Sequence, residues 1–557
     1  MNTISIALAG SPAVTLPQGT SVESALLQAG YVPDEASPVI AAFVNNEVRA
    51  LSYQIHINAT VAPILHDEPE GQRVYRRSLC YVLAIAASRA CQGRRLLIGH
   101  ALGNAYFYSF DGEAATPELL EALKKEFSTI VADDKPIERG VIAYTEALTF
   151  FRSHRMEDAA LLVERHNYSE VPVYRCGDFM DLSHGPLAAR TGVLQLYRIE
   201  AFHDGFLLIF PGSRAPREIQ PEHRSEMLFQ IYREYKQWGR ILGISSVGQL
   251  NRLTEQGQVK EFIRVAEALH DKKIAQIADS LAESIHATGG AGKVALIAGP
   301  SSSGKTTFTK KLAVQLTVVG LVPVVISLDD YFVPREKTPK NPDGSYNFEH
   351  IEAIDIDLLN QHLLALFAGD EIDVRTFNFK TGQPEYRGAK LSLPERGVLV
   401  MEGIHGLNDA LTPRIPREQK YKIYVSALTQ LNLDDHNRIA TTDNRLIRRI
   451  VRDHQFRGHS ATATLEMWPS VRRGERQNIF PFQDSADSTF NTALDYELGV
   501  LRNHAEPLLR QVKPTDSVYH EAVRLQTFLK NFTVIPQKLV PQESILREFI
   551  GESGFHY

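Results

Sequence analysis

The pattern of apolar and polar positions changes several times along the chain, and it starts with a short mixed region. The stretch ISIAL alternates as a strand does, and LPQGTSVESALLQAG continues into apolar residues at helical spacing. Thr20 and Glu23 stand three residues apart, which is the spacing of a capping box at a helix start. The stretch AAFVNNEVRAL predicts a hairpin that turns at Asn45 and Asn46. We therefore expect a small α+β module over residues 1–66.

The pattern after this module predicts three further regions. Helix-like stretches such as YVLAIAASRAC and strand-like stretches such as NAYFYSF alternate over 67–230, which indicates an α+β domain. Residues 231–287 are charged and periodic, and they predict a helical connector. From residue 288 the order becomes strand, glycine-rich loop, helix and strand, so we assign 288–557 to a parallel-sheet α/β domain. The fold class is thus multidomain, with α+β and α/β parts.

Length and composition agree with several globular domains inside a reducing compartment. The 557 residues exceed a single core at roughly 150 residues per domain. The net charge of −6 creates no overall field that favours nucleic acid. Cys80, Cys91 and Cys176 lack CxxC spacing, which argues against a disulfide scaffold. The start of the chain lacks a signal-peptide pattern, and Gly320 and Pro323 interrupt its most apolar run. We expect a soluble cytoplasmic protein without a membrane partner.

The stretch KVALIAGPSSSGKTTFTKKLAVQL contains the pattern G-x-x-x-x-G-K-[ST] between a buried-strand pattern and a helix pattern. In such a loop the glycines let successive backbone amides face one anion, and the following helix adds its dipole. Lys305 is expected to reach the β- and γ-phosphates of ATP, and the Thr306 hydroxyl to bind Mg²⁺. The residues predicted to bind ATP are Gly299, Pro300, Ser301, Ser302, Ser303, Gly304, Lys305, Thr306 and Thr307.

Acidic residues stand at the ends of two other predicted strands. The strand predicted in VPVVISLDDYF ends in Asp329 and Asp330, and the strand predicted in RGVLVMEGIHGL ends in Glu402. Parallel sheets present ligands at the carboxyl ends of their strands, so these carboxylates are expected near the phosphates. Asp329 is the candidate general base for an acceptor hydroxyl, and Glu402 is the candidate metal ligand beside Thr306. The sequence lacks an NKxD motif, which disfavours a GTPase.

Arginine is concentrated in the stretch DNRLIRRIVRDHQFRGHS. Residues 438–476 contain nine arginines and four acidic residues. Four of these arginines share one helical face at i, i+3, i+4 and i+7, namely Arg445, Arg448, Arg449 and Arg452. We expect Arg445 and Arg449 to stabilise the transferring phosphoryl group, and Arg448 and Arg452 to belong to a lid that excludes water. The alternative is a solvated or nucleic-acid-binding basic helix.

Five ordered blocks over about 290–490 resemble the uridine kinase family, which is related to phosphoribulokinase. They are GPSSSGKTT, SLDDYF, NFEHIEAIDIDLLNQHLLALFAGDEI, VLVMEGIHGL and DNRLIRRIVRD. The resemblance implies transfer of a phosphoryl group from ATP, with Mg²⁺, to a nucleoside 5′-hydroxyl. It implies that Asp329 is the catalytic aspartate and that Glu349, beside Phe348, holds the ribose hydroxyls. Arg445 matches a lid arginine on the substrate side.

The segment RTFNFKTGQPEYRG departs from the family at the positions that contact the base. Phe377 stands where the family has a tyrosine, and Gly382 stands where it has a histidine. A phenyl ring still stacks on a base, but neither residue offers the side-chain hydrogen bond that discriminates strongly between bases. Three acceptors therefore stay open: uridine or cytidine, another nucleoside, and a different sugar alcohol.

The first half resembles a second family. Residues 1–66 are similar to the TGS module of threonyl-tRNA synthetases, which implies a β-grasp fold, and residues 67–230 are similar to the editing domain of those enzymes. The four positions that match the editing cluster of that family are Arg77, Tyr81, Ser183 and Leu187. None has the ligand type of the family, so we expect neither editing nor zinc here.

Two functions follow from the sequence as alternatives. The first is a small-molecule kinase in which the front half is a scaffold or a regulatory region. The second is an RNA-associated regulatory ATPase without a nucleoside acceptor, and we favour it less because the front half lacks a basic stripe interleaved with aromatic residues. Whether the chain forms an oligomer stays open.

Overall fold

A computed structural model describes residues 2–556 apart from 9–11, 33, 35–36, 92, 213–214, 221–224, 288–292, 342–343 and 345. The chain forms two compact units. Unit 1 consists of Met1–Val259, Gln430–Ala440 and Glu506–Val534, and unit 2 consists of Lys260–Thr429, Thr441–Ala505 and Ile535–Tyr557. The domain boundaries that follow residues 66, 230 and 287 stay predictions, and the last of them adjoins 288–292, which lie outside the described residues.

Unit 1 begins with a mixed sheet whose strand order is β2-β1-β7-β4-β5. Its strands and the short pair β3–β6 are β1 (Thr3–Leu8), β2 (Val14–Pro17), β3 (Thr20–Ser21), β4 (Val39–Val44), β5 (Glu47–Ala50), β6 (Gln54–Ile55) and β7 (Ala59–Leu65), with helix α1 (Val22–Gln28). β1 and β7 run parallel, and the other pairs of the sheet are antiparallel. Apolar side chains from these strands and from α1 form one buried cluster.

Two local predictions in this module have different outcomes. The hairpin turn is confirmed, because Asn45 and Asn46 join β4 to β5 with φ of 49° and 60°. The predicted cap at Thr20 is wrong, since Ser21 caps α1 by accepting a hydrogen bond from the Ser24 amide at 3.2 Å. Thr20 lies in β3, and its hydroxyl donates instead to the Pro17 carbonyl at 2.7 Å.

The middle of unit 1 holds two antiparallel sheets and packed helices, with strand orders β10-β11-β12 and β13-β14-β9-β8. The strands are β8 (Leu96–Ala101), β9 (Ala105–Phe110), β10 (Glu138–Ala143), β11 (Glu170–Cys176), β12 (Phe179–Leu182), β13 (Arg198–Phe202) and β14 (Gly205–Ile209). The helices are α2 (Pro69–Ala90), α3 (Pro117–Ala132), α4 (Tyr144–Ser153), α5 (Glu157–His166), α6 (Glu226–Leu242) and α7 (Val247–Glu255). A large apolar core surrounds α2.

The four positions that match the editing cluster take part in ordinary packing within unit 1. The Tyr81 hydroxyl donates to the Tyr174 carbonyl at 3.1 Å, and Arg77 Nη1 donates to the Pro186 carbonyl at 3.2 Å. Ser183 Oγ accepts from an arginine side chain, and Leu187 is buried. These contacts tie α2 to the neighbouring loop and strand.

Unit 2 is built on a five-stranded parallel sheet of order β16-β19-β15-β20-β21, so the predicted parallel α/β architecture is confirmed. Its strands and a separate hairpin, β17–β18, are β15 (Val294–Ala298), β16 (Val322–Ser327), β17 (Ile372–Asn378), β18 (Gln383–Leu391), β19 (Gly397–Glu402), β20 (Lys420–Ser426) and β21 (Ser488–Asn491). The helices are α8 (Val259–Ala287), α9 (Lys305–Val318), α10 (Ile356–Ala368), α11 (Thr441–Arg457), α12 (Ala461–Asn478) and α13 (Glu497–Leu509).

Two late segments complete unit 1, and a third completes unit 2. Residues 430–440 and the segment that carries α14 (Tyr519–Leu529) belong to unit 1, whereas α15 (Arg547–Ile550) belongs to unit 2. On α14, Glu521 pairs with Arg73 at 2.8 Å and with Arg524 at 2.7 Å, so arginines neutralise it. Within the described ranges, no helix combines the length and the apolarity that a membrane span requires.

Candidate functional site

The glycine-rich loop lies where the sequence predicts it, between the central strand β15 and the start of α9. Gly299 follows β15 and lies so close to the neighbouring strand β20 that a Cβ there would be 2.0 Å from the Val425 carbonyl oxygen. Ser302 and Gly304 both have left-handed backbone, with φ of 57° and 82°. Such a backbone turns successive amides toward one point, which is the geometry that binds phosphate oxygens.

Lys305 begins α9 and folds back onto the loop. Its Nζ donates to the Gly299 carbonyl at 2.9 Å and to the Pro300 carbonyl at 3.3 Å. Burial lowers the pKa of Lys305, while the Glu402, Glu548 and Asp329 carboxylates oppose this shift. The ammonium group is therefore held beside the loop amides, ready to contact a bound phosphate.

Thr306 and Glu402 are adjacent, as their predicted roles require. Glu402 is the last residue of β19, and its Oε1 accepts a hydrogen bond of 2.9 Å from Thr306 Oγ1. Burial raises the pKa of Glu402 to about 7, and Lys305 opposes the shift. A hydroxyl and a carboxylate side by side are oxygen ligands of the kind that Mg²⁺ prefers, so the two residues fit the predicted cation.

Asp329 lies just past the end of β16, on a short 3₁₀ turn. Its amide donates to Ser327 Oγ at 3.2 Å, which fixes the start of that turn. The carboxylate is open to solvent on one side, and the protein around the rest of it raises its pKa, an effect that the Lys305 ammonium opposes. An exposed carboxylate within electrostatic reach of Lys305 is suitably placed to accept a proton from an incoming alcohol.

Two of the four predicted arginines contact the loop at Ser301. Arg445 Nε donates to the Ser301 carbonyl at 3.0 Å, and its guanidinium also pairs with Glu475. Arg449 Nη1 donates to Ser301 Oγ at 2.7 Å and its Nε lies 3.1 Å from Asp453. Helix α11 thus brings two guanidinium groups to Ser301 of the phosphate loop.

The other two arginines have different surroundings. Arg448 is fully buried, and it donates to Glu497 Oε2 at 2.8 Å and to the Ser302 carbonyl at 3.3 Å. It therefore supports the loop from inside the protein. Arg452 pairs with Asp453 at 2.9 Å. The closing motion of a lid stays a prediction for both residues.

Glu475 is a site residue that sequence reasoning missed. Its Oε1 accepts a hydrogen bond of 2.9 Å from the Ser301 amide, while the same carboxylate pairs with Arg445. Glu475 is 2% exposed and lies on α12, far from the loop in sequence. Only the density of charge in the arginine-rich region hinted that an acidic partner was present.

Glu349 lies close to this network. Burial raises its pKa to about 7, and the neighbouring negative charge of Glu475 adds to the shift. Gly474 makes room for the side chain, because a Cβ at that glycine would lie 2.9 Å from the Glu349 Cβ. The predicted ribose-binding carboxylate thus lies within electrostatic reach of Lys305 and Arg449, both of which lower its pKa.

Aromatic side chains cluster near the predicted base-contacting positions. The Phe348 and Phe377 rings lie 5.9 Å and 5.5 Å from the Phe332 ring. Phe377 is 7% exposed, whereas Phe379, whose ring lies 5.1 Å from that of Phe377, is 56% exposed. The most exposed ring of this cluster is thus Phe379, two residues after Phe377.

Gly382, at the position of the family histidine, is covered by another side chain. A Cβ there would lie 2.7 Å from Arg335 Nε, and the backbone has φ of 73°. Arg335 Nη2 donates to the Phe379 carbonyl at 2.5 Å. A histidine at this position is therefore incompatible with the observed packing of the hairpin turn.

Comparison with known proteins confirms both predicted resemblances. Residues 294–497 match the family model described as Phosphoribulokinase / Uridine kinase family. The threonine–tRNA ligase of Symbiobacterium thermophilum is 30% identical over 206 residues, which cover 37% of this chain and 31% of that relative. The corresponding ligase of Carboxydothermus hydrogenoformans is 31% identical over 169 residues, which cover 30% of this chain and 27% of that ligase. The chain thus spans less than a third of either relative.

A solved structure described as a possible uridine kinase from Bacillus stearothermophilus is 21% identical and covers 38% of this chain and 97% of its own. Its TM-score of 0.23 is too low to carry an inference. The match of residues 294–497 to the family model is independent of it and supports a P-loop kinase in unit 2.

Proposed function

We propose that the chain is a phosphotransferase of the uridine kinase type, which transfers the γ-phosphoryl group of ATP to the 5′-hydroxyl of a nucleoside. The observation that carries the proposal is the contact of Thr306 with Glu402 at 2.9 Å, directly after Lys305 in the phosphate loop. That contact places a hydroxyl, a carboxylate and an ammonium group at one end of β15 and β19. These are the groups that phosphoryl transfer requires around the terminal phosphates.

In the proposed reaction, Asp329 accepts the proton of the acceptor hydroxyl while the oxygen of that hydroxyl forms a bond to the γ-phosphorus. The bond from the γ-phosphorus to the bridging oxygen breaks, and ADP leaves with that electron pair. Lys305, Arg445 and Arg449 stabilise the negative charge on the phosphoryl oxygens during transfer. The contacts of both arginines with Ser301 hold these cations at the loop before substrate arrives.

Thr306 and Glu402 are the residues that would hold Mg²⁺, since their oxygens are already adjacent. When bound, the cation neutralises charge on the phosphates. The raised pKa of Glu402 means that this carboxyl gains its charge most readily when a cation is present.

For the acceptor, we propose a nucleoside whose ribose hydroxyls bind Glu349 and whose base stacks on the aromatic cluster. Phe379 offers the most exposed ring of that cluster, and Phe348 and Phe377 support it through Phe332. Stacking contributes about 1–3 kcal/mol per base and tolerates different bases. Experiment decides which acceptor the site takes: uridine or cytidine, another nucleoside, or a different sugar alcohol.

The test is ADP release by the purified full chain with ATP, Mg²⁺ and a panel of nucleosides and sugar alcohols. We expect ADP only with a nucleoside acceptor, together with one equivalent of the 5′-monophosphate identified by mass spectrometry. ADP release at the same rate without any acceptor contradicts the proposal. Release only with a sugar alcohol retains the kinase and replaces the acceptor.

For the first half we infer a β-grasp module of the TGS type over 1–66, followed by an editing-like domain that no longer edits. The similarity to the two threonine–tRNA ligases supports this inference, and it also favours a second candidate function, an RNA-associated regulatory ATPase. That alternative predicts hydrolysis that is independent of an acceptor and that RNA stimulates. Adding tRNA to the assay without a nucleoside separates the two functions.

A further inference from the structure

The segment 535–557 of unit 2 returns to the phosphate loop and places a carboxylate on it. Glu548 Oε2 accepts a hydrogen bond of 3.0 Å from the Thr307 amide and one of 2.9 Å from the Thr307 hydroxyl. Thr307 is the third residue of α9, and the amides of a first helical turn have no partner within the helix. The carboxylate therefore caps a helix start that favours negative charge.

The same amide belongs to the set that binds phosphate in a loop of this type. The amides from the glycine-rich turn into the first turn of the helix cradle the α- and β-phosphates of a nucleotide. One amide proton and one hydroxyl proton cannot serve a carboxylate and a phosphate at the same time, because each donates to a single close acceptor. Glu548 thus stands in for a phosphate oxygen at Thr307.

Glu548 also lies within electrostatic reach of the rest of the site. Its charge adds to the raised pKa of Glu402 and opposes the lowered pKa of Lys305. Among the residues that the structure describes, no arginine, lysine or histidine forms an ion pair with Glu548. Glu475, the other carboxylate on the loop, differs in this respect because Arg445 neutralises it.

The neighbours of Glu548 fix the segment against the loop and the arginine helix. Ile545 packs on Gly304, where an added Cβ would lie 2.6 Å from Ile545 Cγ2. The Phe549 ring lies 4.9 Å from the Arg448 guanidinium carbon. Both apolar side chains are buried, so the carboxylate between them is held in place and is not a chance surface contact.

We propose that Glu548 competes with the nucleotide for the phosphate loop. Its carboxylate occupies the position of a phosphate oxygen at Thr307 and has to leave before a nucleotide binds. The proposal rests on the function proposed above and adds regulation of the same site. Because arginine does not neutralise the carboxylate, a nucleotide phosphate with more negative charge and more acceptor oxygens replaces it at the loop. Nucleotide affinity then includes the cost of moving residues near 545–549.

The experiment measures binding of ADP and of a non-hydrolysable ATP analogue, with Mg²⁺ and without acceptor, by calorimetry. Glu548→Gln removes the charge and keeps the shape, and Glu548→Ala removes the competing oxygens. We expect both variants of the full chain to bind about tenfold more tightly than the wild type. Glu543→Gln is the matched control, because it removes an exposed carboxylate from the same segment.

A second measurement shows whether the segment moves. In the wild type, added nucleotide should increase amide hydrogen exchange over residues 541–552, because the displaced segment loses its contacts. Tighter binding by both variants together with this increase supports the proposal. Equal or weaker binding by either variant, or unchanged exchange in a wild type that binds nucleotide, overturns it.

The two proposals fail in distinguishable ways. If the wild type and the variants all bind nucleotide equally, the competitor is refuted and the kinase is retained. If neither the wild type nor a Glu548 variant binds nucleotide, both proposals are refuted. If only the variants bind, the competitor is supported at its strongest, since Glu548 then blocks the site in the wild type.

Discussion

Two partly buried carboxylates of this protein, Glu521 and Glu402, have opposite electrostatics. In unit 1, burial acts against ionisation of Glu521, yet Arg524 and Arg73 hold its pKa well below its ordinary value. In unit 2, burial raises the pKa of Glu402 to about 7, and one lysine only partly opposes it. A carboxylate between two arginines already has cationic partners that neutralise it, whereas a carboxylate with a raised pKa lacks sufficient positive charge around it. The second arrangement is typical of a site that completes itself with a ligand.

The largest expected effect comes from the carboxylate that we assign as base. Asp329→Asn should lower the turnover number for phosphoryl transfer by about 10³-fold, within the range of general base catalysis, and leave nucleotide binding unchanged. ADP release and calorimetry measure the two quantities. Asp330→Asn is the control, since Asp330 accepts a hydrogen bond from the Phe377 amide and should keep turnover within a fewfold. Near-normal turnover of Asp329→Asn contradicts its role.

The next effect tests whether the loop lysine serves binding and chemistry together. Lys305→Ala should reduce kcat/KM by about 10²-fold and also weaken nucleotide binding, because the same ammonium contacts the phosphates in both states. Lys310→Ala, on the same helix, serves as the control. A loss of turnover with unchanged nucleotide affinity would restrict Lys305 to the transition state.

The raised pKa of Glu349 predicts a pH dependence for the acceptor. Below about pH 7 the side chain is neutral, and above it the carboxylate accepts hydrogen bonds from the ribose hydroxyls. The KM for the acceptor should therefore be about tenfold higher at pH 6 than at pH 8. Glu349→Gln should remove this dependence, and a variant that keeps it shows that another group titrates.

The smallest expected effect lies in unit 1 and concerns stability. Glu521→Gln should lower the free energy of unfolding by about 1–2 kcal/mol and leave phosphoryl transfer unchanged. Because the folded pKa of Glu521 is lowered, its contribution is present above the ordinary glutamate pKa and is lost as the pH falls through the folded value. Urea unfolding at neutral and acidic pH measures both.

The control for this stability effect is the exposed pair of Glu121 with Lys124. Glu121→Gln should change stability by less than about 0.5 kcal/mol, as is usual for surface pairs. If the two variants are equally stable, Glu521 contributes no more than a surface charge, and the lowered pKa of Glu521 has no consequence for stability.

Sequence reasoning succeeded where neighbouring residues decide the structure. The turn at Asn45 and Asn46 follows from residues that tolerate positive φ, and the strand, loop and helix around Lys305 follow from local periodicity. The positions of Glu402 at the end of β19 and of Asp329 just past the end of β16 follow from the same patterns. These features need no information about the rest of the chain.

Sequence reasoning failed where residues far apart in the chain determine the structure. Glu475 and Glu548 contact the loop across 174 and 241 positions, and a lone glutamate on a helix looks like a solvated charge in sequence. The capping-box spacing pointed to Thr20, whereas Ser21 caps α1; both residues pair with β6, at Ile55 and Gln54.

The division of the chain has a consequence for its synthesis. Unit 1 takes its parts from Met1–Val259, Gln430–Ala440 and Glu506–Val534, so the chain leaves this unit and returns to it twice. Domains usually fold one after another as the ribosome releases them, the N-terminal one first. Here unit 1 stays incomplete until Val534 has emerged, after most of unit 2 has been synthesised, so unit 2 can begin to fold before unit 1 is complete. During translation, both units therefore remain incomplete until the segments after Ala505 have been synthesised.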